Sequence, residues 1–469
     1  MTNLPQACQT DFHRIVLLAS CGTQLLVISE NGQFRLPTLA APTDQRLTES
    51  LTALLKSHWS QRAVCLFRLD TAPMTSDRLY HVMECRDENP PVTSGSRWVS
   101  VSSLDELHFQ EAPDFAAVVQ SLAQCRAFAE DSKHAPFARL GWFSELTSWV
   151  REEAARQGLK LSRNFSQLNA GPAFSLVRFE TDGPALWFKA VGEPNLREYP
   201  ITLALTNYFP AFVPHILASR ADWNGWLTLE AEGAHPDGSS PLSLWTAIAA
   251  ALAELQIASI GRTLHLVDAG CHDLRACALT EVAEPFFDVI AELMSRQTKP
   301  SPPALSYRDL VALREQLQVL LHSLRESYIP NTLGHLDFNL GNIVVSKDRC
   351  VFLDWAEACV GHPFLTLAYL LEALHRLPDA GRCWQEQIIS TYTERWKCFV
   401  DPVEIAHSLA LIRPLAVFAY AVSSAAWRDP VQRARPEIAR HLRSLTRRMK
   451  REMESCLTPE TQRRVTCPN

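Results

Sequence analysis

The first hundred residues are short apolar runs separated by turn signals. Residues 14–20 and 24–29 are apolar and joined by Cys21-Gly22-Thr23, and Glu30-Asn31-Gly32-Gln33 leads into 34–37. Runs of this length bounded by Gly and Asn predict strands. Leu47, Leu51, Leu54 and Leu55 share one helical face, with Thr43 or Asp44 available as cap. Strands return at 63–69, 79–84 and 97–101, so the pattern predicts a small α/β domain within residues 1–125. A partly charged helical connector at 111–133 follows, and His134-Ala135-Pro136 marks a break.

A second pattern starts there. Phe143, Leu146, Trp149 and Val150 make 143–157 amphipathic, and Gly158 stops the helix. Strands at 176–180 and 185–190 flank an Asp182-Gly183 turn, preceded by a loop holding Gly171 and Ser175. A helix from about 195 to 208 tolerates Pro200 only in its first turn. Then come a strand at 225–230, an Ala- and Leu-rich helix at 241–260, an apolar strand around His265, and two helices in 282–328 about the loop Pro300-Ser301-Pro302-Pro303. Residues 365–455 read as helical.

At 469 residues the chain is too long for one core and implies two or three domains. A net charge of −6 and no aromatic-interleaved basic face argue against nucleic acid as a partner. The thirteen cysteines include no C-x-x-C pair, and the first twelve residues lack the basic start and apolar run of a signal peptide, so reduced thiols and a cytoplasmic location are expected. No apolar run reaches membrane-spanning length; the best, 415–427, follows Arg413. Cys271-His272 with Cys277 lacks the second ligand pair of a zinc site, and the Arg447 to Arg451 run reads as an exposed basic helix face ahead of a frayed tail.

Candidate chemistry concentrates between residues 333 and 357. Two β-rich runs, 343–346 and 350–353, are separated by Lys347-Asp348-Arg349, a connection of hairpin length. With a symmetric three-residue turn Ser346 faces Cys350 and Ile343 faces Leu353, so Asn342 and Asp354 close the open end. Asp337 lies on the short loop before them, with Gly341 allowing a tight turn. A carboxylate, an amide oxygen and a second carboxylate converging suit Mg²⁺. Lys189, inside the apolar run 186–190, needs a partner, and Glu198 lies nine residues on.

The spacing His335-Leu336-Asp337 to Asn342 and then Asp354-Trp355 resembles the aminoglycoside phosphotransferase and choline kinase-like family, which carries H-G-D-x-x-x-x-N and a following D-W. The resemblance implies an α+β, bilobal protein-kinase-like fold over residues 135–469, with an N-lobe at about 140–232 and a C-lobe at about 240–455. By the same resemblance Asp337 would accept the acceptor hydroxyl proton, His335 would brace the loop, and Asn342 and Asp354 would hold Mg²⁺. Lys189 paired with Glu198 would grip ATP phosphates, the loop with Gly171 and Ser175 would cover them, and the backbone from Leu229 through Glu230 to Ala231 would meet the adenine. The implied activity is transfer of the γ-phosphoryl group to a small-molecule hydroxyl. The alternative is a pseudokinase-like regulatory protein that binds nucleotide without transfer, supported by Leu336 in place of the family's small Gly and by the degenerate Nudix-like front end; His362, where the family often has Gly-Asp-Pro, is a further departure. In 365–455 the acidic residues Glu372, Asp379 and Glu386 would suit a cationic acceptor, or simply face solvent.

Two further resemblances are narrower. Leu36-Pro37 before a helix, and Trp98 ahead of Leu104-Asp105-Glu106-Leu107, resemble the Nudix fold, but lone Glu49 cannot supply the carboxylate cluster Nudix hydrolysis needs, which implies a packing or ligand-sensing module. His272-Asp273 resembles the dipeptide of HD-class phosphohydrolases, without their further ligands.

Overall fold

The computed structural model describes residues 10–42, 46–69, 78–87, 91–93, 95–130, 136–347, 349–377 and 381–456. The expected cap at Thr43 or Asp44, the break at His134-Ala135, Asp348 of the hairpin turn, and Asp379 lie outside these. The fold is mixed α+β, with sheets in the N-terminal part and helices in the C-terminal part.

The chain divides into two compact units, Met1–Tyr199 with His215–Glu230, and Pro200–Pro214 with Ala231–Asn469. The sequence places boundaries at 125–135 and at 232–240, and one core cluster is shared across the first of these. Val16, Val64 and Tyr80 cluster with Phe143, Val177 and Phe188. Polar bonds reinforce that union. The Gln167 side chain stands in for a peptide group, accepting from Cys65 N–H at 2.8 Å and donating to Cys65 C=O at 2.9 Å.

The first unit holds two sheets. In one, the strands Gln33–Arg35, Gln24–Glu30, Thr10–Leu18, Leu79–Cys85 and Ala63–Arg68 lie side by side, with Thr38–Pro42 also pairing with Thr10–Leu18 and Ser96–Ser100 with Gln24–Glu30. Thr38–Pro42 was not foreseen: Leu36-Pro37 opens a strand here, not the helix Leu47–Trp59. The other sheet is antiparallel, in the order Ile216–Arg220, Gly225–Leu229, Leu186–Val191, Phe174–Thr181 and Leu161–Asn169. The amphipathic helix Trp142–Arg156 buries Phe143, Leu146 and Val150, as its spacing predicts.

The second unit is helical around a three-stranded sheet of His272–Leu274, Ala358–Gly361 and Thr332–His335, with a separate hairpin of Ile343–Val345 and Cys350–Phe352. His265 lies on the helix Thr263–Asp268, not on a strand; the run is too short for its apolar residues to distinguish the two periods. The helix Pro402–Ser423 is, among the described residues, the one long and apolar enough to cross a membrane, because it runs through Arg413 and Pro414 where the sequence reading stopped. Of its most apolar stretch 61% is buried inside the protein, as in a core helix.

The basic run near the C-terminus is more than an exposed face, and the tail expected after it lies outside the described residues. In Pro436–Cys456, Met449 is buried, Arg448 holds Glu372 by two bonds of 2.7 Å and Lys450 holds Asp309 at 2.7 Å. Partners so far away in sequence are invisible to a local charge pattern.

Buried imidazoles make stability depend on pH. Burial pushes His81 down to about 3, with the nearby His13 adding repulsion, and burial alone pushes His362 down to about 3. Both stay neutral in the fold, whereas the unfolded chain takes up their protons below about pH 6.5. Between pH 6.5 and 3 the unfolded state therefore binds more protons, and stability falls as pH falls. Going from pH 6.5 to 5 costs up to about 2 kcal/mol per imidazole. Melting temperatures recorded from pH 7 to pH 5 should fall clearly, and a flat profile would contradict the buried neutral state.

Candidate active site

The loop at 335–342 is built around one ring. His335 is buried, donates from Nε2 to Leu353 C=O at 3.0 Å and accepts at Nδ1 from Asp337 N–H at 3.2 Å. Both nitrogens are thus used by a single neutral tautomer. Burial lowers the His335 pKa, against the opposing pull of Asp354, Asp337 and Glu357, which also places those carboxylates within electrostatic range of the ring. The Trp355 ring lies 4.8 Å from it and donates from Nε1 to Phe352 C=O at 3.1 Å. Gly334 just before has no room for a side chain: a Cβ there would lie 2.8 Å from Cys359 Sγ and from Thr366 Oγ1. Leu336 is buried and donates its N–H to Glu357 C=O at 3.1 Å.

Asp337 is exposed, and its carboxylate is held from both sides. Asn339 Nδ2 donates to one oxygen at 3.0 Å and Asn342 Nδ2 to the other at 3.2 Å, while Asn342 also bonds Asp337 C=O at 3.0 Å. Asn339 was missed in the sequence; its signal was the turn it makes, accepting Gly341 N–H at 2.9 Å. With its NH₂ group on Asp337, Asn342 keeps its amide oxygen for another partner.

The hairpin register differs from the symmetric expectation. Ile343 pairs with Phe352 and Val345 with Cys350, and Ser346 N–H bonds Arg349 C=O at 2.8 Å, so the turn is one residue shorter than expected. Asn342 therefore bonds Leu353, from Leu353 N–H at 2.8 Å, and is not paired across the strands with Asp354. Asp354 follows in a left-handed conformation, φ 59° and ψ 66°, which reverses the chain into the short helix Trp355–Glu357. The hairpin is anchored by paired backbone bonds between Ala234 and Val345 and by Arg349, which donates to the carbonyls of Pro210, Ala211 and Val213. Asp337 and Asp354 are exposed, and oxygens of the kind that Asn342 and Asp354 carry are the hard donors that Mg²⁺ takes.

Asp337 lies on the wall of a 290 Å³ pocket, with Tyr420, Arg413, His441 and Arg448 among its other walls. The sequence did not single out these four for this role, because their spacing is that of ordinary helix faces. Glu372 also lines it, but Arg448 and Arg376, the latter at 2.7 Å, already engage its carboxylate. Glu386 is exposed. Burial raises the Tyr420 pKa, and Asp337, Glu357 and Glu372 add to the shift, so its hydroxyl keeps its proton near neutrality.

In the first unit, Lys189 Nζ lies 2.5 Å from Glu198 Oε1, and Glu198 opens the helix Glu198–Tyr208 with Pro200 in its first turn. Gly171 sits in the loop before Phe174–Thr181 at φ +140°, and Ser175 is buried on that strand opposite Ala190. Glu230 turns its carboxylate to Arg178, at 2.8 and 3.1 Å, and to Trp187 Nε1 at 3.1 Å. The N–H groups of Leu229 and Glu230 bond His215 and Ala185 carbonyls, so an adenine contact would not come from these two amides. His272 faces Glu357 at 3.3 Å, and no cluster of three His, Cys, Asp or Glu suited to a metal occurs among the described residues.

Residues 213–396, under half of the chain, match the model of the APH phosphotransferase enzyme family, a span that includes Asp337, Asn342 and Asp354 but not Lys189 or Glu198. No curated protein matches the chain. Among solved structures, the choline kinase LicA from Streptococcus pneumoniae is 15% identical with a TM-score of 0.43, covering 66% of this chain and 99% of its own. The macrolide 2'-phosphotransferase MphH from Brachybacterium faecium is 18% identical with a TM-score of 0.39, covering 62% and 98%.

Proposed function

We propose that the protein is an ATP-dependent phosphotransferase that moves the γ-phosphoryl group to a hydroxyl of a small molecule. The family match over 213–396 supports a phosphotransferase. The observation that carries the finer reading is Asp337, exposed on a pocket wall with its carboxylate fixed by Asn339 and Asn342.

In this reading Asp337 orients the acceptor hydroxyl and takes its proton as the oxygen attacks phosphorus. His335 is a positioning residue, since both its nitrogens serve the backbone. Asn342 and Asp354 would hold Mg²⁺, which when bound neutralises charge on the phosphates. Lys189, held by Glu198, contributes a fixed cation for phosphate oxygens. The 290 Å³ pocket receives the acceptor, and Glu372, engaged by two arginines, gives little support to a cationic one. The Nudix-like front of the chain acts as a packing module, supported by the core it shares with the second sheet. Thirteen scattered cysteines with no C-x-x-C pair support a reducing, cytoplasmic setting.

The test is purified protein with Mg-ATP and a library of hydroxyl compounds, read as acceptor-dependent ADP release and a phosphorylated product. Transfer to any member supports the reading. Thermal stabilisation by Mg-ATP with no product from any member would favour the regulatory alternative.

A further inference from the structure

A second cavity, of about 1070 Å³, lies in the helical unit between Pro436–Cys456 and the end of Ala276–Ser295 with its following loop. Seven of its eighteen lining residues are cationic and one is acidic. One wall is a stripe of Arg440, Arg443, Arg447 and Arg451, spaced to lie on a single helix face. Arg296 and Lys299 face it from the loop side, and Arg433 closes one end. The single carboxylate in the lining, Glu292, is shared by Arg296 at 2.7 Å and Arg433 at 3.6 Å. Among the described residues, Lys299, Arg440, Arg443, Arg447 and Arg451 make no ion pair. That concentration of positive charge stands in a chain whose net charge is −6.

Like charges three and four apart on a helix repel, and acidic residues at that spacing, Glu437 and Glu454, stand only at the two ends of the stripe. Two of the arginines are nevertheless fixed. Arg443 donates to Leu293 C=O at 3.2 Å, and Arg447 donates to Pro303 C=O at 2.9 Å and to Gln297 Oε1. Donors held by neutral oxygens keep their charge and lose little freedom on meeting an anion. Burial, with repulsion from Arg443 and Arg451, lowers the Arg447 pKa, which shows how crowded the cations are.

We propose that this groove is a binding site for a compact polyanion carrying several phosphate groups, separate from the transfer site. No aromatic residue lines it, so it has no platform for stacked bases, and its cations surround a concavity instead of forming the flat face that a lipid surface would need.

The probe is inorganic tripolyphosphate, titrated calorimetrically into the full-length protein at low and raised ionic strength. The variant is Arg440→Glu with Arg451→Glu, two exposed side chains outside the pocket at Asp337. Binding should weaken at least about tenfold in the variant and also as salt rises, with ATP turnover unchanged. Equal affinity in both proteins would place the anion elsewhere and overturn the proposal, as would no binding at low salt. Tighter binding, at equal phosphate concentration, of an RNA of about 20 nucleotides or of phosphatidylserine vesicles would overturn the compact class of ligand.

Discussion

Replacing Asp337 with Asn is expected to lower the turnover number for phosphoryl transfer by about 10²- to 10⁴-fold, the usual contribution of a positioned general base. Two effects combine. The amide cannot take the hydroxyl proton, and its own NH₂ would face one of the donors that now clamp the carboxylate, Asn339 Nδ2 or Asn342 Nδ2. Nucleotide affinity should change little, because neither effect touches Lys189 or Glu198. The measurement is steady-state transfer alongside a Mg-ATP binding titration. Near-normal turnover would remove Asp337 from its role, whereas lost ATP binding would show that the substitution had collapsed the loop.

Lys189→Met is the second large expected loss, about 10²- to 10³-fold in kcat/KM if the ammonium stabilises charge on the transferring phosphoryl group. It should also destabilise the first unit, since Glu198 is only 2% exposed and loses the ammonium 2.5 Å away. Adding Glu198→Gln lowers the charge that has lost this contact, so the double variant should regain part of the lost melting temperature while transfer stays low. If the double variant recovers both, Lys189 serves packing alone.

The local arrangement of the candidate site was legible because its parts are close in sequence: His335, Asp337, Asn342 and Asp354 lie within one loop and one hairpin. Lys189 and Glu198 were legible for a different reason, since a cation inside an apolar strand requires a counter-charge. The hairpin register was not, because the choice between a two- and a three-residue turn depends on the Ser346–Arg349 bond, and neither residue type dictates it. Contacts across the expected boundary were hidden too, such as Gln167 reaching Cys65 about a hundred residues away. The same holds for the last helix, where Glu372 and Asp309 turn an apparent solvated face into a pocket wall and a tie.

The left-handed backbone at Asp354 narrows what evolution or engineering can place there. That conformation is comfortable for Gly and tolerable for Asn and Asp. Under the proposed role, cation binding asks for a carboxylate, which Asp and Glu offer. Glu satisfies the ion and strains the chain, Asn keeps the backbone relaxed but offers a neutral oxygen in place of a charge, and Gly brings no ligand at all. Asp alone joins a charged ligand to that backbone, which leaves Asn as the nearest route through which the position could drift.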